Sequence, residues 1–184
     1  MLVPFASRPH SSYQGAIILY MNPARSIALL NQSVADELLA VHQYMYFHMH
    51  LDDLGFVPLA TLFKRTAITE MVHVEALAER ILFLKGDVEM APAAPVEKIT
   101  DPAAMLAKAR QMEESSANAY NQAALQCGAG ADAASKQIFE RLIGDEEGHF
   151  AQFDRQLENI QRFGPSYLAL QSFEKAPAIA AAAH

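Results

Sequence analysis

The sequence predicts an all-α chain: a bundle of four long helices, with a long crossover between the second and third and a short fifth helix near the C-terminus. Three observations lead there. Apolar residues recur every three or four positions over four separated stretches of similar length, and no period-two strand pattern competes with them. Proline, glycine and cap residues fall between those stretches. The chain has 184 residues, 52% of them hydrophobic, which is one domain's worth of core, yet no run of about 18 apolar residues could span a bilayer.

Residues 1–21 read as an N-terminal extension, rich in Pro, Ser and Gly up to Gly15 and without helical period. The run Ala16-Ile17-Ile18-Leu19-Tyr20 lacks the basic lead and small-residue cleavage site of a secretory signal. Met21 leaves two readings open, an extension outside the fold or a start codon placed too far upstream. The bundle domain is expected over residues 22–174. Asn22-Pro23 is a cap followed by proline at the first helical position. From there to Asp53, Ile27, Leu30, Val34, Val41, Tyr44 and Leu51 form one stripe, and Gly55 breaks it. The second helix, Val57 to Lys85, has its stripe at Leu59, Leu62, Thr66, Glu70, His73, Leu77 and Leu84, with Gly86 as its stop. Residues 87–101, with Pro92 and Pro95, are too long for a hairpin loop and are expected to cross the length of the bundle. The third helix follows from Pro102 to Cys127 with Leu106, Ala109, Glu113, Ser116, Tyr120 and Ala123 on one face, ended by Gly128 and Gly130. The fourth, Asp132 to Phe163, carries Phe139, Leu142, Glu146, His149, Phe153, Leu157 and Ile160, and Gly164-Pro165 stops it. Ser166 to Phe173 is the short fifth helix, and 175–184 is an Ala-rich tail.

Composition excludes several functions. The net charge is −7, which disfavours nucleic-acid and anionic-membrane surfaces and suits cation handling. The single cysteine, Cys127, rules out an internal disulfide or a Cys-x-x-Cys metal site, and a reducing, cytoplasmic setting is expected.

Every stripe contains a carboxylate near its middle, and these are spaced as a repeat. Glu70-Met71-Val72-His73 has a twin in Glu146-Glu147-Gly148-His149, and Glu37 and Glu113 each precede their Glu-x-x-His by 33 residues (70 − 37 and 146 − 113). Residues three apart share a helix face, so each pair aims a carboxylate and an imidazole at one point. Folding the stripes inward gathers Glu37, Glu70, Glu113, Glu146, His73 and His149. Four buried carboxylates need cations, and two divalent ions supply matching charge. Oxygen donors with one imidazole per ion suit iron or manganese better than structural zinc. One Glu from each of two helices plus Glu-x-x-His from each of the other two is the general ligand pattern of di-iron carboxylate bundles. Glu114 rivals Glu113, though spacing favours Glu113.

On these motifs the chain resembles the bacterioferritins, from about Asn22 to Leu170. The matching segments are Asp36-Glu37-Leu38-Leu39-Ala40-Val41-His42-Gln43-Tyr44, Glu70-Met71-Val72-His73 running into Glu79-Arg80-Ile81-Leu82-Phe83-Leu84-Lys85-Gly86, and Asp145-Glu146-Glu147-Gly148-His149. The resemblance implies a ferritin-like fold with a ferroxidase centre of two Fe per subunit: Glu37, Glu70 and His73 on one iron, Glu113, Glu146 and His149 on the other, with Glu70 and Glu146 bridging. Fe(II) would be oxidised by O2 or H2O2, two electrons at a time, and ferric mineral stored in a shell of 24 subunits built from twofold dimers. Tyr44 matches a family tyrosine beside the centre. Met71 points about 100° away from Glu70; it matches the axial methionine of a haem b shared between two subunits, and packing at an interface is the other reading of such a residue. A small ferredoxin is the implied electron donor for iron release.

The chain departs from some relatives in having no tryptophan, and in carrying Arg65 and Thr69 where a histidine and an acidic residue face the cavity. His42, His48 and His50 fit no ligand spacing and read as surface or supporting residues. A di-iron peroxidase or oxygenase without mineral storage shares the ligand set and is the alternative function; a rubrerythrin-type peroxidase would need a Cys-x-x-Cys module. A helical assembly with a vestigial site is disfavoured by the presence of all six ligands.

Overall fold

The computed structural model describes residues 23–172, so the expectations for residues 1–21, the Asn22 cap and the Ala-rich tail lie outside the described residues. Five helices follow in order: α1 (Pro23–Asp53), α2 (Val57–Phe83), α3 (Pro102–Ala129), α4 (Ala133–Phe163) and the short α5 (Pro165–Leu170). Among the described residues there is no strand. The helix α1 packs chiefly on α2 and α3 on α4; the two pairs then meet through α1–α3 and α2–α4. Both hairpin turns are short, so each pair is antiparallel, as in a four-helix bundle.

Cap chemistry sets the element ends. Asp101 accepts from the Ala104 amide at the start of α3, and Asp132 accepts from Ser135 N at the start of α4. Asp132 lies just outside α4 as its cap, and α2 ends at Phe83, two residues short of the expected Lys85. The left-handed residue there is Lys85 (φ 64°), whereas Gly86 serves a different purpose. A Cβ on Gly86 would lie 2.9 Å from the Ile27 side chain, so glycine is needed for the close approach to α1. Likewise α3 runs through Gly128 to Ala129, and Ala131 (φ 56°) turns the chain. The short α5 begins at Pro165 and stops at Leu170, three residues before Phe173.

The crossover is tied to α1 by two side-chain amides that imitate strand pairing. Asn31 donates to Asp87 O (2.9 Å) and accepts from Glu89 N (3.0 Å); Gln43 donates to Glu97 O (2.9 Å) and accepts from Glu97 N (2.7 Å). Because Asn31 and Gln43 are twelve residues apart, about 18 Å of helix, the loop is held extended along α1.

Two apolar clusters fill the bundle. One contains Leu30, Val34, Leu77, Ile81, Phe139 and Leu142; the other contains Phe47, Phe63, Leu106 and Phe153. The six predicted ligands fall between them in every helix, so the site is a polar layer sealed by hydrocarbon at both ends. The stripes hold with small shifts: Ala40 and Phe63 are buried where Val41 and Leu62 are only half-buried.

Candidate metal centre

Glu37, Glu70, Glu113, Glu146, His73 and His149 are all buried and all converge at the middle of the bundle. Glu114, the rival of Glu113, is exposed. The ligand atoms form two overlapping groups, Glu37–Glu70–His73–Glu146 and Glu70–Glu113–Glu146–His149, each with its atoms within 4.8 Å of one another.

Glu70 and Glu146 belong to both groups. Glu70 presents Oε2 to His73 Nδ1 at 2.8 Å and Oε1 to His149 Nδ1 at 2.9 Å. Glu146 presents Oε1 to His73 Nδ1 at 3.3 Å and Oε2 to His149 Nδ1 at 3.5 Å. Glu37 Oε1 lies 3.2 Å from His73 Nδ1, and Glu113 Oε2 lies 3.7 Å from His149 Nδ1. The imidazoles face each other with centroids 6.1 Å apart.

Close approach here is not hydrogen bonding. Both oxygens of Glu70, Oε1 of Glu146 and Nδ1 of both histidines are buried without an aligned partner. Such orphaned atoms cost about 1–3 kcal/mol each, more when charged, unless something absent from the polypeptide satisfies them. Their donor set, four carboxylates and two imidazoles, fits two divalent iron or manganese ions.

The charges confirm that the polypeptide alone is under electrostatic pressure. Burial disfavours a charged His73, but the carboxylates of Glu146, Glu37 and Glu70 outweigh it and push the ring up to about 12. His149 is likewise pushed up to about 12 against burial, by Glu113, Glu146 and Glu70. Burial, opposed by His73 and reinforced by Glu70 and Glu146, raises Glu37 to about 8. Burial raises Glu113 as well, and Glu146 is held low by His149 and His73 in spite of its burial. Protons therefore take the place that cations would fill.

The tyrosines are arranged crosswise. Tyr44, on α1, donates its hydroxyl to Glu113 Oε1 on α3; Tyr120, on α3, donates to Glu37 Oε1 on α1. Burial, with the neighbouring glutamates, pushes both hydroxyls well above the usual tyrosine range. The sequence reading placed Tyr120 only in a core stripe. Its signal was the repeat itself: Tyr120 lies 76 residues after Tyr44, as Glu113 lies 76 after Glu37. Asp145 was also given no role, and its Oδ2 lies 3.4 Å from His73 Nε2, where it can hold the tautomer that frees Nδ1.

Elsewhere, Met71 is 56% exposed on the outer face of α2, beside exposed Ile68 and Val72. His48 Nδ1 sits 2.9 Å from Ala60 O, His50 packs on Tyr46, and His42 is exposed, so none joins the centre. Arg65 and Thr69 line a pocket of about 240 Å³ that reaches His149.

A four-helix bundle with a paired carboxylate–histidine centre at mid-length defines a ferritin-like protein, and the ferritin-like domain model matches residues 27–163. Similarity is specific within that class. Bacterioferritin from Desulfovibrio desulfuricans is 34% identical over 154 residues, covering 79% of this chain and 82% of the relative. Bacterioferritin from Rhodobacter capsulatus is 33% identical, covering 80% of this chain and 91% of the relative. The chain belongs to the bacterioferritin family.

Solved structures agree. The Desulfovibrio desulfuricans bacterioferritin, described with its diiron site in different catalytic states, superposes with a TM-score of 0.81 at 31% identity over 88% of this chain and 95% of that one. The Rhodobacter capsulatus bacterioferritin, described with a metal-free dinuclear site and a heme iron in a crystallographic special position, gives 0.78 at 33% identity over 86% and 98%. Among the described residues, no helix is long and apolar enough to cross a membrane.

Proposed function

We propose that this protein stores and detoxifies iron, oxidising Fe(II) to Fe(III) with O2 or H2O2 at the six-residue centre and keeping the ferric product inside a shell of 24 copies in the cytoplasm. The observation that carries this reading is the shared geometry of Glu70 and Glu146, each offering one oxygen to either imidazole group. Glu37 and His73 would complete one ion's set, and Glu113 and His149 the other's. Two iron ions held side by side supply two electrons at once, so the oxidant need not leave as a one-electron radical. The residues contribute position, charge and dryness. The apolar clusters exclude water from both ends, and Asp145 holds the proton of His73 on Nε2. As metal enters, the histidines and Glu37 and Glu113 give up the protons that balance the empty centre.

Met71 supports a haem b shared between two copies, since its exposed thioether lies in an apolar patch that is open in one subunit. That haem would pass electrons inward, from a small ferredoxin, when iron is released. Loss of haem absorbance in Met71→Leu would support the ligand; retention would remove it.

Aerobic loading with excess Fe(II), followed by gel filtration and an iron count, tests storage. With subunits of 20.2 kDa, a 24-copy shell elutes near 480 kDa carrying far more than two iron per chain. Iron stopping near two per chain in a small oligomer moves the function to a di-iron oxidase or peroxidase. Glu146→Ala should abolish rapid Fe(II) oxidation with the oligomer intact, and unchanged oxidation would refute the site.

A further inference from the structure

The four glutamates of the centre are not treated alike by the rest of the chain. Glu37 and Glu113 each accept a hydrogen bond from a tyrosine hydroxyl. Glu70 and Glu146 accept none: both oxygens of Glu70 and Oε1 of Glu146 are buried without an aligned donor. The division coincides with the geometry, because the two unbonded carboxylates are those shared by both metal groups, and each bonded one belongs to a single group. A carboxylate with both oxygens free can span two ions. One whose oxygen is held by a hydroxyl is fixed in rotation and confined to one side.

Packing alone does not account for the hydroxyls. The Tyr44 ring lies among Phe63 and Phe153, and the Tyr120 ring lies against Phe139, so phenylalanine would fill either space. Nor does each tyrosine serve its own helix. Tyr44 follows Glu37 on α1 but bonds Glu113, while Tyr120 follows Glu113 on α3 but bonds Glu37. Each half of the bundle thus supplies the hydroxyl that fixes the other half's terminal carboxylate.

We propose that Tyr44 and Tyr120 are a reciprocal pair of positioning residues: Tyr120 confines Glu37 to the His73 side, Tyr44 confines Glu113 to the His149 side, and together they decide which glutamates are terminal and which bridge. This rests on the metal-centre reading above. It assigns Tyr120 a role equal to that of Tyr44 and gives Tyr44 a target on the opposite helix.

Co(II) is the probe, since its visible ligand-field bands report ligand geometry without oxidation chemistry. In full-length His149→Ala protein, which keeps the His73 side, Tyr120→Phe should weaken Co(II) binding about tenfold and alter those bands. Tyr44→Phe in the same background should have an effect several-fold smaller. In His73→Ala protein the order should reverse. Far-UV circular dichroism of each variant checks that the helices remain.

Where a single-histidine protein does not fold, the two Tyr→Phe substitutions in the unaltered chain provide the second measurement. Each alone should split the Co(II) isotherm into two phases of unlike affinity, and the double substitution should restore one weaker phase. Losses that follow each tyrosine's own helix, equal losses on both sides, or unchanged affinity and bands would overturn the crosswise assignment while leaving the metal centre standing. An unaltered, helical protein that binds no Co(II) would overturn both.

Discussion

Filling the centre with two divalent ions at pH 7 should release about four protons. The perturbation is Zn(II) added to metal-free protein; Zn(II) cannot be oxidised, so hydrolysis of a ferric product does not contribute. The count comes from the electrostatics of the empty site. His73 and His149, pushed up to about 12 by the carboxylates that outweigh their burial, each carry an extra proton. Burial keeps Glu37 protonated by raising it to about 8, and it raises Glu113 in the same direction. Glu146, held low by the histidines, carries none. Metal ligation requires all of these groups deprotonated. Each of His73, His149, Glu37 and Glu113 therefore surrenders one proton, and two doubly charged ions replace four singly charged ones. A pH-stat titration in weak buffer counts the base consumed per ion, and His73→Ala should lower the total by about one. Fewer than about two protons per pair of ions would refute the electrostatic account of the buried centre.

The same groups give metal-free protein a definite pH trend. A histidine raised to about 12 contributes stability that is full below its unfolded value near 6.5 and lost as pH rises through 12, and Glu37, raised to about 8, contributes stability that is lost from 4.5 upward. Thermal melts of metal-free protein should therefore fall as pH rises from 5 to 9, on the order of 1 kcal/mol per pH unit for each excess proton, and saturating Zn(II) should reverse the slope. Phe63→Ala, at a fully buried ring 5.1 Å from Phe153 and 5.3 Å from Phe47, should cost about 3–5 kcal/mol in chemical denaturation. Asp132→Ala should cost a similar ~3–5 kcal/mol, because it removes the α4 cap and leaves Arg80, 2.7 Å away and largely buried, without its counter-ion. A melting temperature unchanged by Asp132→Ala would show that the Arg80 pair contributes nothing net.

The legible part of this protein was everything that repeats along one chain direction. Heptad-like stripes gave the four helices, and a carboxylate inside each stripe marked the centre, because a helix turns linear spacing of three or four into a shared face. The 33-residue interval from each lone glutamate to its Glu-x-x-His, duplicated in the two halves, identified all six converging side chains before any coordinates. Even the element ends were close, with errors at Lys85 and Ala131, where a non-glycine takes the left-handed turn because a glycine nearby is needed elsewhere or not at all.

What crosses between helices was not legible. Sequence spacing placed Tyr44 on the Glu37 face, but only the packing of α1 on α3 directs its hydroxyl to Glu113 and that of Tyr120 to Glu37. Asp145 behind His73 and the amide clamps of Asn31 and Gln43 on the crossover are likewise pairings between distant segments. Ligand identity is thus a property of helical periodicity, which one strand of sequence carries whole. The partner of each hydroxyl, and with it the division of glutamates into bonded and unbonded, depends on the rotation and offset of one helix against another, and side-chain packing sets those only once the bundle has closed.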